Sequence, residues 1–154
     1  MQKKPYLARL CDAELQLALR SAGAVLIEGA KWCGKTSTAT QAAGSVAYMQ
    51  DPDQSVSYKA MADAKPSLLL QGPTPRLIDE WQVAPVIWDA VRFEVDKRDE
   101  PAQFLLTGSA VPLDDVTSHT GTGRIARLKM RPMSLFESGD CLLYTSPSPR
   151  DATL

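Results

Sequence analysis

The stretch Val25-Leu26-Ile27-Glu28-Gly29-Ala30-Lys31-Trp32-Cys33-Gly34-Lys35-Thr36 constrains this chain more than any other. An apolar run enters a Gly-x-x-x-x-Gly-Lys-Thr loop, and residues 36–43 behind it have the spacing of a short helix. Strand, tight loop and helix in this order aim successive backbone N–H groups at one point, where a polyphosphate's charge is well met. Gly29 and Gly34 allow backbone angles and close approach that a Cβ would obstruct. The candidate nucleotide-binding residues are therefore Gly29, Ala30, Lys31, Trp32, Cys33, Gly34, Lys35 and Thr36. Lys35 is expected to reach the β- and γ-phosphates. The Thr36 hydroxyl is a candidate ligand for Mg²⁺, which prefers hard oxygen donors. A Gly-rich turn that binds nothing is the alternative.

Arg76-Leu77-Ile78-Asp79-Glu80 is the second informative stretch. Two apolar strand residues end in two carboxylates, following the loop by one or two crossovers. In phosphate-loop enzymes an acid here holds Mg²⁺ through its water shell, and the next acid orients or deprotonates the attacking water. Asp79 fits the metal side and Glu80 the base; a polar strand exit is the alternative. Gln103-Phe104-Leu105-Leu106-Thr107-Gly108-Ser109 reads as a further buried strand, with Thr107 or Ser109 placed either to sense the γ-phosphate or simply to end the strand. Residues 123–130 alternate apolar and basic as a half-buried strand does. Arg124 is a candidate for the γ-phosphate of its own or a neighbouring subunit, against the reading of a solvated strand end.

The remaining elements follow from periodicity and punctuation. Asp12 to Ala22 reads as a helix capped by Asp12, with Leu15, Ala18, Leu19 and Ala22 on one face and Gly23 at its end. Lys3, Lys4, Arg9 and Arg20 around it read as a solvated basic face, with contact to phosphate as the alternative. Residues 45–50 read as a strand ending at Asp51-Pro52, where Asp51 either lies near the ligand or makes a turn. A weak helix is expected over 53–66, with Val56, Ala60 and Ala64 at fourfold spacing. Pro85 to Asp96 forms a second firm helix, with Trp88, Val91 and Val95 as its apolar stripe and Ile87 beside it. Trp81 either stacks on a base or packs as a hinge. His119, the sole histidine, reads as a loop residue. Ser134 and Glu137 have capping-box spacing, but Ser/Pro-rich sequence soon follows and the expected helix does not develop.

With 154 residues, 44% hydrophobic and 23% charged, the chain suits one globular domain with a real core. A formal net charge of -1 gives no global basic field for nucleic acid. Arg124, Arg127, Lys129 and Arg131 leave DNA as a weak association only. No apolar run approaches the roughly twenty residues that span a bilayer. Cys11, Cys33 and Cys141 are scattered, without metal spacing, and read as free thiols of a reducing cytoplasm.

Together these stretches resemble the AAA-like ATPase domain of the AAA_14 type, over roughly residues 7–140. The resemblance is carried by residues 29–36, by Leu77-Ile78-Asp79-Glu80-Trp81-Gln82, by Leu106-Thr107-Gly108-Ser109 and by the segment from Gly123-Arg124 to Met133-Ser134-Leu135-Phe136-Glu137. The Trp32-Cys33 pair is characteristic of it and makes Cys33 a packing choice. It implies an α/β, three-layer P-loop NTPase fold of the ASCE/AAA-like kind, with a mostly parallel sheet and the strand over 104–107 between the loop strand and the acidic strand. It also implies ATP and Mg²⁺ as ligands, with hydrolysis using Glu80 as base and Asp79 on the metal side. Such bacterial and archaeal proteins usually continue into a DUF4143 domain. The expected division is therefore an ATPase domain over 1–140 and a non-native, unstructured tail over 141–154, similar to translated vector sequence.

Three functional readings follow. The first is a Mg-dependent ATPase with an unknown coupled output, acting alone or as a homo-oligomer. The second is a nucleotide-binding regulatory module that needs a partner or the missing C-terminal region to hydrolyse. The third, a small-molecule kinase, lacks a visible Arg-rich lid, and the adjacent acids favour water as acceptor.

Overall fold

The computed structural model describes residues 6–31, 33–108 and 124–138. Trp32, Ser109, His119, Lys3, Lys4, Cys141 and the tail over 141–154, each read above from sequence, lie outside the described residues. The chain runs α1 (Asp12–Ser21), β1 (Ala24–Glu28), α2 (Lys35–Ala42), β2 (Ser45–Tyr48), α3 (Ser55–Ala64), β3 (Arg76–Asp79), α4 (Val86–Arg98), β4 (Phe104–Gly108), β5 (Ile125–Lys129) and the single turn α5 (Leu135–Ser138). The five strands form one parallel sheet in the order β2-β3-β4-β1-β5. This is the α/β architecture expected, with β4 seated between the loop strand β1 and the acidic strand β3.

A parallel sheet is covered on both faces, so its strands read as continuous apolar runs. Ala24 to Ile27 and Phe104 to Leu106 are buried without exception. Side chains alternate across the pleat into two cores. Val25, Ile27, Leu77, Leu105 and Leu128 meet Leu15, Leu19 and Ala39 of α1 and α2 on one face. Leu26, Ile78, Phe104 and Leu106 meet Trp81, Ile87, Trp88 and Val91 on the other. The α4 stripe therefore packs as its spacing predicts, and Trp81 is a core residue 5.2 Å from the Trp88 ring centroid, not an exposed base-stacking platform.

The helix expected over 53–66 forms as α3, while the cap of α1 and the absence of a helix after Ser134 are corrected. In α3 the Val56, Ala60, Ala64 stripe faces solvent, with Val56 81% exposed. The buried residue is Ala62, which meets Leu69 and Leu70 from the 3-10 turn over 66–70. A four-residue spacing marks a helix face without saying which face meets the sheet. Asp12 does not cap α1; Cys11 occupies that position without a side-chain bond. The Asp12 carboxylate instead accepts from the Arg9 N–H at 2.9 Å and the Tyr6 hydroxyl at 2.7 Å, closing the approach to the helix. The capping box does form: Ser134 N–H donates to Glu137 at 2.9 Å and Glu137 N–H to Ser134 Oγ at 3.1 Å, so one helical turn follows it.

The largest departure is Arg9, read from sequence as part of a solvated face and in fact buried. Its Nε pairs with the Glu137 carboxylate at 2.9 Å, with both side chains under a tenth exposed. Its Nη1 donates to Cys33 O and its Nη2 to Arg131 O, each at 2.7 Å. One guanidinium thus binds the start of the domain to the segment behind β5 and to the loop after β1. A fork of donors makes this three-way tie, which a point-charge lysine could not reproduce.

Burial alone would raise the Glu137 carboxyl, but donors from Ser134 N, Leu10 N and Arg9 outweigh it and hold it at about 2. A depressed folded-state pKa gives stability that is complete above the unfolded value near 4.5 and is lost as pH falls toward 2. Glu137→Gln should lower the melting temperature at pH 7. It should also remove part of the acid-induced loss that the wild type shows between about pH 4.5 and 2. Thermal melts across that range check this, and an unchanged acid limb would refute it.

Candidate functional site

Register brings the site together. Leu26 of β1 pairs with Leu106 of β4, and Leu106 with Ile78 of β3, so the three strands end side by side. The carboxyl ends of parallel strands are where open α/β sheets bind ligands. The loop over 29–34 leaves β1 there, beside Asp79 at the end of β3 and Thr107 one residue before the end of β4.

Two glycines are required by space and backbone angle. A Cβ on Gly29 would collide with the Met130 carbonyl oxygen. Gly34 has φ of 95°, and a Cβ there would lie 2.6 Å from Arg9 Nη1. Cys33 is buried among Val25, Ile27 and Met130, which suits packing. Ala30 and Lys31 are exposed on the loop. α2 begins at Lys35 with no side-chain cap and no acid of its own in its first turn, which leaves its first backbone N–H groups without a side-chain partner from the helix. Lys35 Nζ donates to Gly29 O at 2.9 Å and Ala30 O at 2.8 Å, holding the ammonium inside the loop.

The acidic strand meets this loop through one carboxylate oxygen. Asp79 Oδ1 accepts from Thr36 Oγ1 and from Thr107 Oγ1, both at 2.7 Å. Thr107, fully buried, in turn accepts the Glu80 N–H at 3.0 Å. Its hydroxyl is thus occupied in aligning the acidic pair. Glu80 sits at φ 58°, ψ 55°, a left-handed conformation that costs a non-glycine residue about 1 kcal/mol or more. The Thr107 bond and a 2.6 Å bond from Gln82 Nε2 to Glu80 Oε2 hold it there. A cavity of about 490 Å³ opens over these groups, lined by Lys31, Lys35, Thr36, Gln50, Asp79 and Glu80.

Two predicted residues fall elsewhere. Arg124 precedes β5, whose first residue pairs with Ala24, so it lies at the end of the sheet opposite the loop. There its Nε pairs with Asp96 at 2.6 Å, and a role toward the γ-phosphate within the same chain is excluded by position. Asp51 takes the turn reading: its Oδ1 accepts the Asp53 N–H at 2.9 Å. Arg127 stands over the Trp88 ring at 5.6 Å, so this member of the basic strand also has a packing partner. Sequence reasoning missed Gln82 and misplaced Arg9. An i+2 amide after an acid has no diagnostic spacing, and nothing local to Arg9 signals partners 24 and 128 residues away.

Thr107→Val would strip Asp79 of a donor and Glu80 N–H of its acceptor at a buried position. Leaving such groups unpaired costs about 1–3 kcal/mol. Chemical denaturation should show a loss of that size, with Thr107→Ser restoring most of it; an isostable valine variant would contradict the role.

Comparison with known proteins agrees with this geometry. The AAA domain family model of the AAA_14 type matches residues 21–138, which contain the loop, the acidic strand and β4. Over 129 residues the chain is 33% identical to the uncharacterised proteins Rv2008c of Mycobacterium tuberculosis and Mb2031c of Mycobacterium bovis, covering 82% of this chain. The alignment spans 29% of each relative, less than a third of its length. A match that takes in the loop, the acidic strand and the strand between them leaves one assignment: the chain belongs to the AAA domain family.

Proposed function

We propose that the chain binds ATP with Mg²⁺ and hydrolyses it. The observation that carries this reading is the meeting of Thr36 and Asp79, 43 residues apart in sequence, at 2.7 Å in the mouth of the loop. These are hard oxygen donors, and among the described residues no group of three His, Cys, Asp or Glu side chains gathers to hold a metal alone. That donor set suits Mg²⁺, which keeps several waters and shares substrate phosphate oxygens. When bound, the ion supplies charge neutralisation between the β- and γ-phosphates.

The chain's own groups divide the remaining work. Backbone N–H groups at the start of α2 receive phosphate oxygens, and Lys35 exchanges its loop carbonyls for the β- and γ-phosphates. Glu80 borders the same cavity and takes the proton of an attacking water. Thr107 and Gln82 keep the base in register with Asp79. Alignment of this kind matters because phosphoryl transfer is catalysed mainly by positioning and charge.

One observation supports the second reading, a nucleotide-binding regulatory module. No arginine lines the cavity over Asp79 and Glu80 among the described residues. Full turnover then requires a guanidinium from outside it, such as Arg124 of another copy in a homo-oligomer, or from the remainder of a longer protein.

Lys35→Ala should weaken ATP binding by more than tenfold, because it removes the cation that a point-charge phosphate contact depends on. Glu80→Gln should retain binding and lower phosphate release by at least a hundredfold, within the range for loss of a general base. Nucleotide titration and phosphate-release assays check both. Turnover by Glu80→Gln at the wild-type rate would reject Glu80 as the base. Specific activity that rises with protein concentration would favour a guanidinium supplied in trans.

A further inference from the structure

Both glycines of the loop rest on one support behind it. A Cβ on Gly29 would meet the Met130 carbonyl, and one on Gly34 would lie 3.4 Å from Met130 Cε and 2.6 Å from Arg9 Nη1. Arg9 donates through Nη1 to Cys33 O, through Nη2 to Arg131 O and through Nε to Glu137. Glu137 in turn accepts the Leu10 N–H at 2.6 Å and the Ser134 N–H at 2.9 Å. Gly34 borders the cavity over Lys35, Asp79 and Glu80, whereas Arg9 does not. The Arg9 and Glu137 side chains are 4% and 8% exposed, so the guanidinium charge is balanced where it stands. Attraction of phosphate is therefore not what Arg9 supplies.

We infer that Arg9 is a positioning residue for the phosphate loop, turning the Gly34 N–H toward the phosphates and, through Glu137, coupling loop occupancy to the segment after β5. The inference rests on the nucleotide reading above and adds what holds the loop in its receiving shape. A trans peptide is planar, so its carbonyl and its N–H point in opposite directions. Cys33 O and the Gly34 N–H belong to one such peptide. With the carbonyl drawn to Arg9, the N–H is turned to the other side of the loop. Lys35 holds the first part of the loop through Gly29 O and Ala30 O. Once Lys35 exchanges these carbonyls for phosphate, the Arg9 bond is the side-chain hold that the loop backbone keeps among the described residues.

The coupling follows from the same bonds. Arg131 O and Glu137 lie on the segment behind β5, and Cys33 O lies on the loop, so one guanidinium cannot shift at one end without disturbing the other. Linkage of this kind is reciprocal: a steadied segment favours the receiving loop, and a filled loop steadies the segment. Residues 131–138 do not line the cavity over Asp79 and Glu80. Protection of their amides by a ligand there has to pass through the support behind the loop. A lysine at position 9 would keep the charge but lose the fork that reaches three acceptors.

The test combines calorimetric titration of the full chain with the Mg²⁺ complex of a non-hydrolysable ATP analogue and amide hydrogen exchange with and without that ligand. In the wild type the ligand should slow exchange over residues 131–138. Arg9→Lys should weaken binding about tenfold, the scale of one misaimed N–H to a charged oxygen, and should abolish that protection at saturating ligand. Glu137→Gln keeps an acceptor for Arg9 Nε and should weaken binding less, by about threefold. Val91→Ala, a loss from the core on the opposite face of the sheet, should lower the melting temperature and bind as the wild type does. Arg9→Lys at wild-type affinity, an equal weakening by Val91→Ala, or a wild type whose 131–138 amides ignore the ligand would overturn the inference. The wild-type exchange result decides it even where Arg9→Lys does not fold. Each of these outcomes leaves the nucleotide reading in place, and a wild-type chain that does not bind the analogue overturns both.

Discussion

Asp79 Oδ1 accepts two hydroxyl donors, Thr36 from the helix behind the loop and Thr107 from the neighbouring strand. The rest of the site is arranged around that oxygen. Thr36 ties the acidic strand to the phosphate loop, and Thr107 passes the connection to the Glu80 backbone. A carboxylate can accept several donors at once, and charge-assisted bonds of this kind are about twice as strong as neutral ones. The arrangement works because β1, β4 and β3 run parallel and in register, so residues far apart in sequence end on one line. A slip of one residue in β4 would turn Thr107 to the opposite face of the sheet.

A second buried network supports the first from behind. Arg9 and Glu137 form an ion pair removed from water, a contact that is costly to desolvate and strongly destabilising to break on one side. Its value here is geometric. The guanidinium reaches the loop at Cys33, the segment behind β5 at Arg131 and the first residues of α5 at Glu137. Those attachments surround Gly34, where a Cβ would strike Arg9 itself. The glycine of the motif therefore answers to the arginine as much as to the ligand.

Much of the fold was legible because burial in a parallel sheet leaves a strong mark. Runs such as Ala24 to Ile27 and Phe104 to Leu106 have no polar residue to place on a solvent face, and both are buried strands. The α4 stripe was equally readable, since Trp88, Val91 and Val95 share one face and all are buried. α3 was legible as a helix but its buried face was not, because alanines at fourfold spacing carry little apolar contrast. The buried position, Ala62, was chosen by where the 3-10 turn brings Leu69 and Leu70.

By itself the sequence determined the phosphate loop, the acidic pair and the order of strands and helices, because each is written in residues close together in the chain. Tertiary structure alone decided which distant groups meet. It set Thr107 on Asp79 and Glu80, buried Arg9 against Glu137 and the loop, and carried Arg124 to the far end of the sheet. Those outcomes depend on strand register and on which face of each helix meets the sheet. Both are fixed by the joint packing of two cores and by no local run of residues.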